Sequence, residues 1–260
     1  MSVLTLPEPA NWPAGRRRVT RLNLIFTGFF AVGLFVGARR LLLGDPLAAF
    51  VAIALLVPFI LALIAVQLVS RGHTALRATH EPSGTTLRPD RTFSSLMLVL
   101  FGSFIPIGLV VVIFTLTGDL HLFASKRGQT SAVVGMSLVA ATAISALITA
   151  WRRGGVGYVK LTPSGLDIAD IKRTESVAWD HLITVDDHSE SNTKTRKAIV
   201  LRLRDGTEKT IDGADFYVPN GVGLYWMVRH YWRHADDRVE LTDGRALKRL
   251  EQGRFDTTVP

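Results

Sequence analysis

Few side chains in this 260-residue chain stand at spacings that could do chemistry. His230 and His234 are four apart in a segment of helical period, a spacing that can set two imidazoles on one metal. No Glu stands between them as a base, and no third ligand is evident, so ordinary surface histidines are expected. His181 and His188 fall at strand edges or in loops. Asp186-Asp187 could work as acid and base, but neither a nucleophile nor a Gly-rich phosphate loop stands nearby. A solvated loop is the plainer reading. With no cysteine, the chain has no disulfide framework, thiolate metal site or thiol redox centre. The expectation is a protein without catalytic residues, cofactor or metal.

Two basic groups could meet phosphates: Lys172 with Arg173, and Lys194 with Arg196 and Lys197. They are intermixed with Glu175 and Glu190, which favours solvated turns. Tyr225, Trp226, Tyr231 and Trp232 could form a belt at lipid headgroups or pack a core. Trp232 is the better surface candidate. The candidate interaction surface is therefore Lys172, Arg173, Lys194, Arg196, Lys197 and Trp232.

The elements that must position these groups begin with four uncharged stretches, residues 22–38, 46–70, 92–118 and 128–151. A bilayer core roughly 30 Å thick takes about 20 apolar residues as helix. Three of the stretches hold 24 to 27 residues. The first reaches residue 43 if Arg39 and Arg40 snorkel. Helices are predicted at about 22–43, 46–70, 93–117 and 130–151, within a transmembrane domain spanning residues 22–153. Residues 1–21 lack an apolar signal-like core and read as a flexible cytoplasmic tail, with the first helix an uncleaved anchor.

The net charge of +8 could suggest nucleic acid, so its location matters. Residues 1–153 carry 14 Lys/Arg against 5 Asp/Glu, whereas residues 154–235 carry 11 of each. The excess flanks the apolar stretches, which excludes nucleic acid as a partner. Ten basic residues lie before the first helix, between the second and third, and after the fourth; four lie on the opposite side. The positive-inside rule then predicts a plasma-membrane protein with N- and C-termini in the cytoplasm.

Within the helices, Gly33 and Gly37 form a small-xxx-small pair, and the fourth helix is rich in small residues. Such residues pack helices closely, within one bundle or across a dimer seam. Pro58 and Pro106 should kink their helices. The deep part of each stretch has no ionisable residue, which disfavours active transport. The residues linking the second and third helices, 71–91, read as a polar loop.

From Val156 the period changes to two. Short strands separated by Pro163-Ser164-Gly165, Lys172-Arg173-Thr174 and Asp205-Gly206 lead to a helix carrying Leu224, Val228 and Tyr231. Residues 236–260 form a tail with a short amphipathic helix capped by Asp243. Leu161-Thr162-Pro163-Ser164-Gly165-Leu166, Val177-Ala178-Trp179-Asp180, Ile199-Val200-Leu201-Arg202-Leu203 and the final aromatic-rich helix resemble the bacterial pleckstrin-homology-like (PH-like) domains. The resemblance covers roughly residues 155–235. It implies a seven-stranded bent sheet closed by a helix, in a domain that binds partners rather than catalyses. The expected fold is multi-domain α + β: a four-helix transmembrane bundle of two hairpins, then a PH-like antiparallel β-barrel or sandwich over residues 154–235. The expected function is a non-enzymatic scaffold, assembly factor or regulator of a membrane complex. Its partners would be membrane lipids and another membrane protein or a homo-oligomer. A channel or transporter component is the alternative.

Overall fold

The computed structural model describes residues 6–12, 15–120, 125–170, 174–189 and 196–257. The chain divides into two units. Residues 16–67 and 95–154 form one, and residues 1–15, 68–94 and 155–260 form the other.

The first unit is helical. Its elements are α1 (Gly15–Leu42), α2 (Pro46–Ala54), α3 (Leu56–Ser70), α4 (Arg91–Thr117) and α5 (Lys126–Arg153). Four stretches are long and apolar enough to cross a membrane: Asn23–Leu42, Pro46–Ser70, Arg91–Thr117 and Lys126–Arg153. The second comprises α2 and α3, interrupted at Leu55. Pro58 accounts for the break, since it has no N–H for the Ala54 carbonyl and its ring crowds that carbonyl. α4 runs unbroken through Pro106.

Between α1 and α2, Gly44 takes the left-handed conformation (φ +75°). Asp45 then caps α2, its Oδ1 accepting the Ala48 N–H at 3.0 Å, with Pro46 at the first helical position. A Cβ on Gly37 would lie 2.9 Å from Ile53 Cγ1, and one on Gly33 would overlap Leu56. These two glycines seat α1 against α2 and α3, so the small-residue pair is an internal contact. Gly108 of α4 does the same against Ala140 of α5, at 3.1 Å. The Gln67 amide donates to Asn23 Oδ1 at 2.7 Å, a polar link between α3 and α1.

The second unit holds two antiparallel sheets. One has the order β1 (Arg77–Glu81), β2 (Gly84–Arg88), β3 (Tyr158–Leu161), β4 (Gly165–Ala169), β5 (Thr174–Ala178). The other runs β6 (Leu182–Asp186), β7 (Ile199–Leu203), β8 (Glu208–Ile211). A 3-10 turn, Trp179–His181, links them, and the sheets do not close into a barrel. After β8 come α6 (Val222–Arg233), a 3-10 segment Ala235–Thr242 and α7 (Arg245–Gln252).

The largest departure from the sequence reading lies in residues 71–91. Expected as a polar loop, they instead form the β1–β2 hairpin, and β2 pairs with β3 through Thr85↔Leu161, Thr86↔Lys160 and Leu87↔Val159. Only Leu87 is a large apolar side chain in β2, yet it is fully buried, and Thr85 beside it donates to the Leu241 carbonyl at 2.7 Å. Interior threonines satisfied by backbone made a core strand look polar. Gly84 stands where β2 begins beside β3, with φ +143°; a Cβ there would run into the Leu161 carbonyl.

Asp90 ties the hairpin to α4. Its Oδ1 accepts the Thr92 and Phe93 N–H groups at 2.8 and 3.0 Å, and its Oδ2 accepts Ala75 N–H at 3.2 Å. The carboxylate thus answers orphan donors at a helix start.

One core joins all three segments of this unit. It includes Trp12 from the N-terminal segment, Leu87 from the hairpin, and Val159, Leu161, Leu201, Ile211, Met227 and Tyr231 from the C-terminal portion. Leu241, Ala246 and Leu250 are fully buried in the same core, so the C-terminal amphipathic helix docks on its own domain. α7 begins after Gly244, one residue later than expected, while Asp243 Oδ1 accepts the Arg245 N–H. Residues 6–12, read as part of a flexible tail, are instead packed against this core.

Candidate functional site

α6 organises the candidate site. Every residue from Val222 to Tyr231 is buried, so no face of the helix is left to solvent along that length. Leu224, Met227, Val228 and Tyr231 are at the centre of the core. The remaining faces are covered by elements from the two ends of the chain.

The C-terminal side is a network of charged groups. Arg249 forks onto Glu240, Nη2 to Oε1 at 2.6 Å and Nε to Oε2 at 2.8 Å, and reaches Asp237 at 3.4 Å. Tyr231 Oη donates to Glu240 Oε2 at 3.1 Å. The Arg249 fork holds the Glu240 carboxyl below its ordinary range against the opposing effect of burial. His230 meets Asp237 through Nε2 at 2.9 Å, and its ring stacks on His234 at 4.5 Å. Burial first, then the Arg249 and His234 charges, push the His230 imidazole below its ordinary value, with Asp237 opposing. The surface pair expected from spacing is therefore a buried histidine with a stacked neighbour. Among the described residues, no three His, Asp or Glu side chains converge as a metal site would require. Arg238 completes this side, donating to the Tyr231 and Trp232 carbonyls at 2.8 and 3.2 Å, where α6 leaves acceptors unanswered.

The other side is a groove, and residues 6–12 occupy it. Trp226 Nε1 donates to the Pro7 carbonyl at 2.9 Å. Trp12 is 6 % exposed, meets Tyr225 edge-on at 5.9 Å, and donates Nε1 to the Ala198 carbonyl at 3.0 Å. Asn11 grips Asp187 twice, through its backbone N–H at 2.9 Å and its side-chain amide at 3.0 Å. Burial would raise the Asp187 carboxyl, but the Asn11 bonds, with help from His188, outweigh it and hold the group low. Asp186 pairs with Arg202 at 2.9 Å. The two aspartates thus serve different contacts.

The basic candidates from the sequence divide. Lys172, Arg173 and Lys194 lie outside the described residues. Arg196 turns inward to Asp215 at 2.7 Å and lies 5.7 Å from the centre of the Phe216 ring. Burial raises the Asp215 carboxyl despite that partner. Lys197 donates to the Asn220 carbonyl at 3.0 Å, pairs with Glu8 at 3.4 Å and lies 5.7 Å from the centre of a Trp12 ring. Trp232 is half-buried against the core, with Arg233 5.9 Å from its ring centre. Tyr225, Trp226 and Tyr231 are core residues. Sequence reasoning missed Asn11 and Trp12, and read Asp187, the partner of Asn11, as part of a solvated loop. The signal available was Trp12, a large indole in a segment otherwise composed for disorder.

No protein-family model matches the chain, and neither a curated protein nor a solved structure matches it.

Proposed function

We propose that this chain is a non-enzymatic, multi-pass membrane protein whose second unit is a PH-like interaction domain. It acts as a scaffold, assembly factor or regulator for a membrane complex. The observation that carries the reading is the groove beside α6, which grips a short segment through the Trp226 indole, the Asp187 carboxylate and the Ala198 carbonyl. That is how an interaction module holds a peptide. Element order supports the resemblance to PH-like domains in part: residues 155–235 hold six strands, β3 to β8, followed by α6, and the β1–β2 hairpin joins the sheet of β3 to β5 from outside that span.

Pairing within the domain also supports the topology. Residues 6–12 and strands β2 and β3 belong to one folded unit, so the chain must return to the same side after α1–α3 and again after α4–α5. Each of those passages then crosses the membrane an even number of times. The flanking basic residues favour the cytoplasm as that side. Arg196 and Lys197, engaged within the domain, favour a protein partner over a lipid headgroup.

Purification in mild detergent tests the reading. Recovery of one stoichiometric membrane-protein partner, lost when the domain is deleted, is the expected result. Solute flux through liposomes containing the protein alone would move the reading to a channel. A C-terminal reporter active only outside the cytoplasm would overturn the orientation.

A further inference from the structure

We infer that the α6 groove is a peptide-recognition site and that residues 6–12 are its built-in, displaceable occupant. The inference rests on the interaction-domain reading and names the partner chemistry of its site. The ligand class is a segment of a partner protein that closes in a turn at its indole, as the Trp12 backbone N–H does on the Pro9 carbonyl at 3.2 Å. It carries an indole anchor, an asparagine immediately before it and an acidic residue four positions before the indole.

The contacts define that chemistry position by position. Tyr225 and Lys197 flank the indole, and the Ala198 carbonyl takes its N–H. Asp187 reads a backbone N–H and a side-chain amide one residue earlier. Lys197 sits where the acidic side chain arrives, at 3.4 Å. Trp226 donates to a carbonyl in a proline-containing stretch, which arrives preordered and without its own donor.

The occupant differs from a structural strand of the core. Among the described residues it joins neither sheet, and its backbone donates across to the domain at Asn11 and accepts at Pro7. Pro7, Glu8, Ala10 and Asn11 are exposed, while Pro9 and Trp12 are buried. A segment held by a few side-chain contacts opens without unfolding what it covers. A partner with the same chemistry then competes with a ligand held at high effective concentration, so strap docking keeps the site closed to weak partners.

The test uses the full chain in detergent, with and without its first 12 residues, and a fluorescein-labelled peptide of sequence Leu-Pro-Glu-Pro-Ala-Asn-Trp. The truncated protein is expected to bind the peptide saturably, at least tenfold more tightly than the intact chain. A peptide with alanine for its tryptophan is expected not to bind. If truncation unfolds the domain, the full-length double variant Glu8→Lys, Asn11→Ala keeps Trp12 and takes its place, with binding expected above wild type. A folded truncated protein that ignores the peptide, or a folded double variant no better than wild type, overturns the inference. Equal binding by intact and truncated chains also overturns it, because the site would then not be the occupied groove. The interaction-domain reading has its own readout, recovery of the membrane partner, so the two failures are distinguishable.

Discussion

Leu87 and Val159 are register partners in adjacent antiparallel strands, although α4 and α5 stand between them in the sequence. Both side chains are fully buried in one core. Two helices long and apolar enough to cross a membrane are therefore inserted between two neighbouring strands of a sheet. The sheet is complete only when the segments on both sides of that insertion come together. Trp12 extends the same logic to the first hairpin.

Gly84 offers a direct reading of that arrangement. Its φ of +143° and the Leu161 carbonyl leave no room for a side chain. Gly84→Val is expected to destabilise the domain by about 1–3 kcal/mol from backbone strain alone. A loop substitution would change stability by about 0.5 kcal/mol or less. Thermal unfolding followed by tryptophan fluorescence separates the two.

The strap contacts should differ in weight. Trp226→Phe removes the bond to the Pro7 carbonyl while keeping the ring, and is expected to cost about 1 kcal/mol. Trp12→Ala empties a buried indole site and is expected to cost about 3–5 kcal/mol. Denaturant unfolding in detergent measures both. Equal, negligible effects would place residues 6–12 off the domain.

His230 makes stability depend on pH. Its imidazole sits below the ordinary value of about 6.5. The unfolded chain therefore takes up the proton first, and stability falls as pH drops through about 6.5 toward the lower folded value. His234, Arg249 and Asp237 face the ring, and the first two reinforce the effect. The difference between wild type and His230→Gln isolates this group from Asp215, whose raised carboxyl acts in the opposite sense at lower pH. Between pH 7 and 5.5, the melting temperature of the wild type should fall more than that of the variant.

Asn23 and Gln67 should couple in the helical unit. A double-mutant cycle with leucine at each position is expected to give an interaction of about 0.6 kcal/mol, with an upper bound near ~1.7 kcal/mol. Unfolding in mixed micelles provides the measurement. No coupling would mean that α1 and α3 do not meet through this pair.

The apolar spans were legible because a bilayer demands an uninterrupted run, and charges mark its ends. Strands β3 to β8 were legible because alternating residues such as Val159 and Leu161 announce a buried face. β2 was not, since its interior face is made by Thr85 and Leu87, and a threonine bonded to the Leu241 carbonyl carries no apolar signal. The burial of His230 and Arg229 was hidden for another reason. Local pattern gave α6 one apolar face, while its other faces are covered by residues 6–12 and 235–252, distant in sequence. At the candidate site the aromatic residues of α6 were visible; their occupant, two prolines and an indole in an apparently unstructured segment, was not.

The segment between α3 and α4 belongs to the same sheet as the strands β3 to β5. The chain has no cysteine, so Thr86→Cys and Lys160→Cys can be introduced at register partners without a competing thiol. With a protease site inserted in the α4–α5 connection, the protein is oxidised in native membranes, cleaved and run on a denaturing gel. The two fragments are expected to stay joined until a reductant is added. Fragments that separate without reductant, although each single-cysteine protein is folded and cleaved, would contradict this pairing.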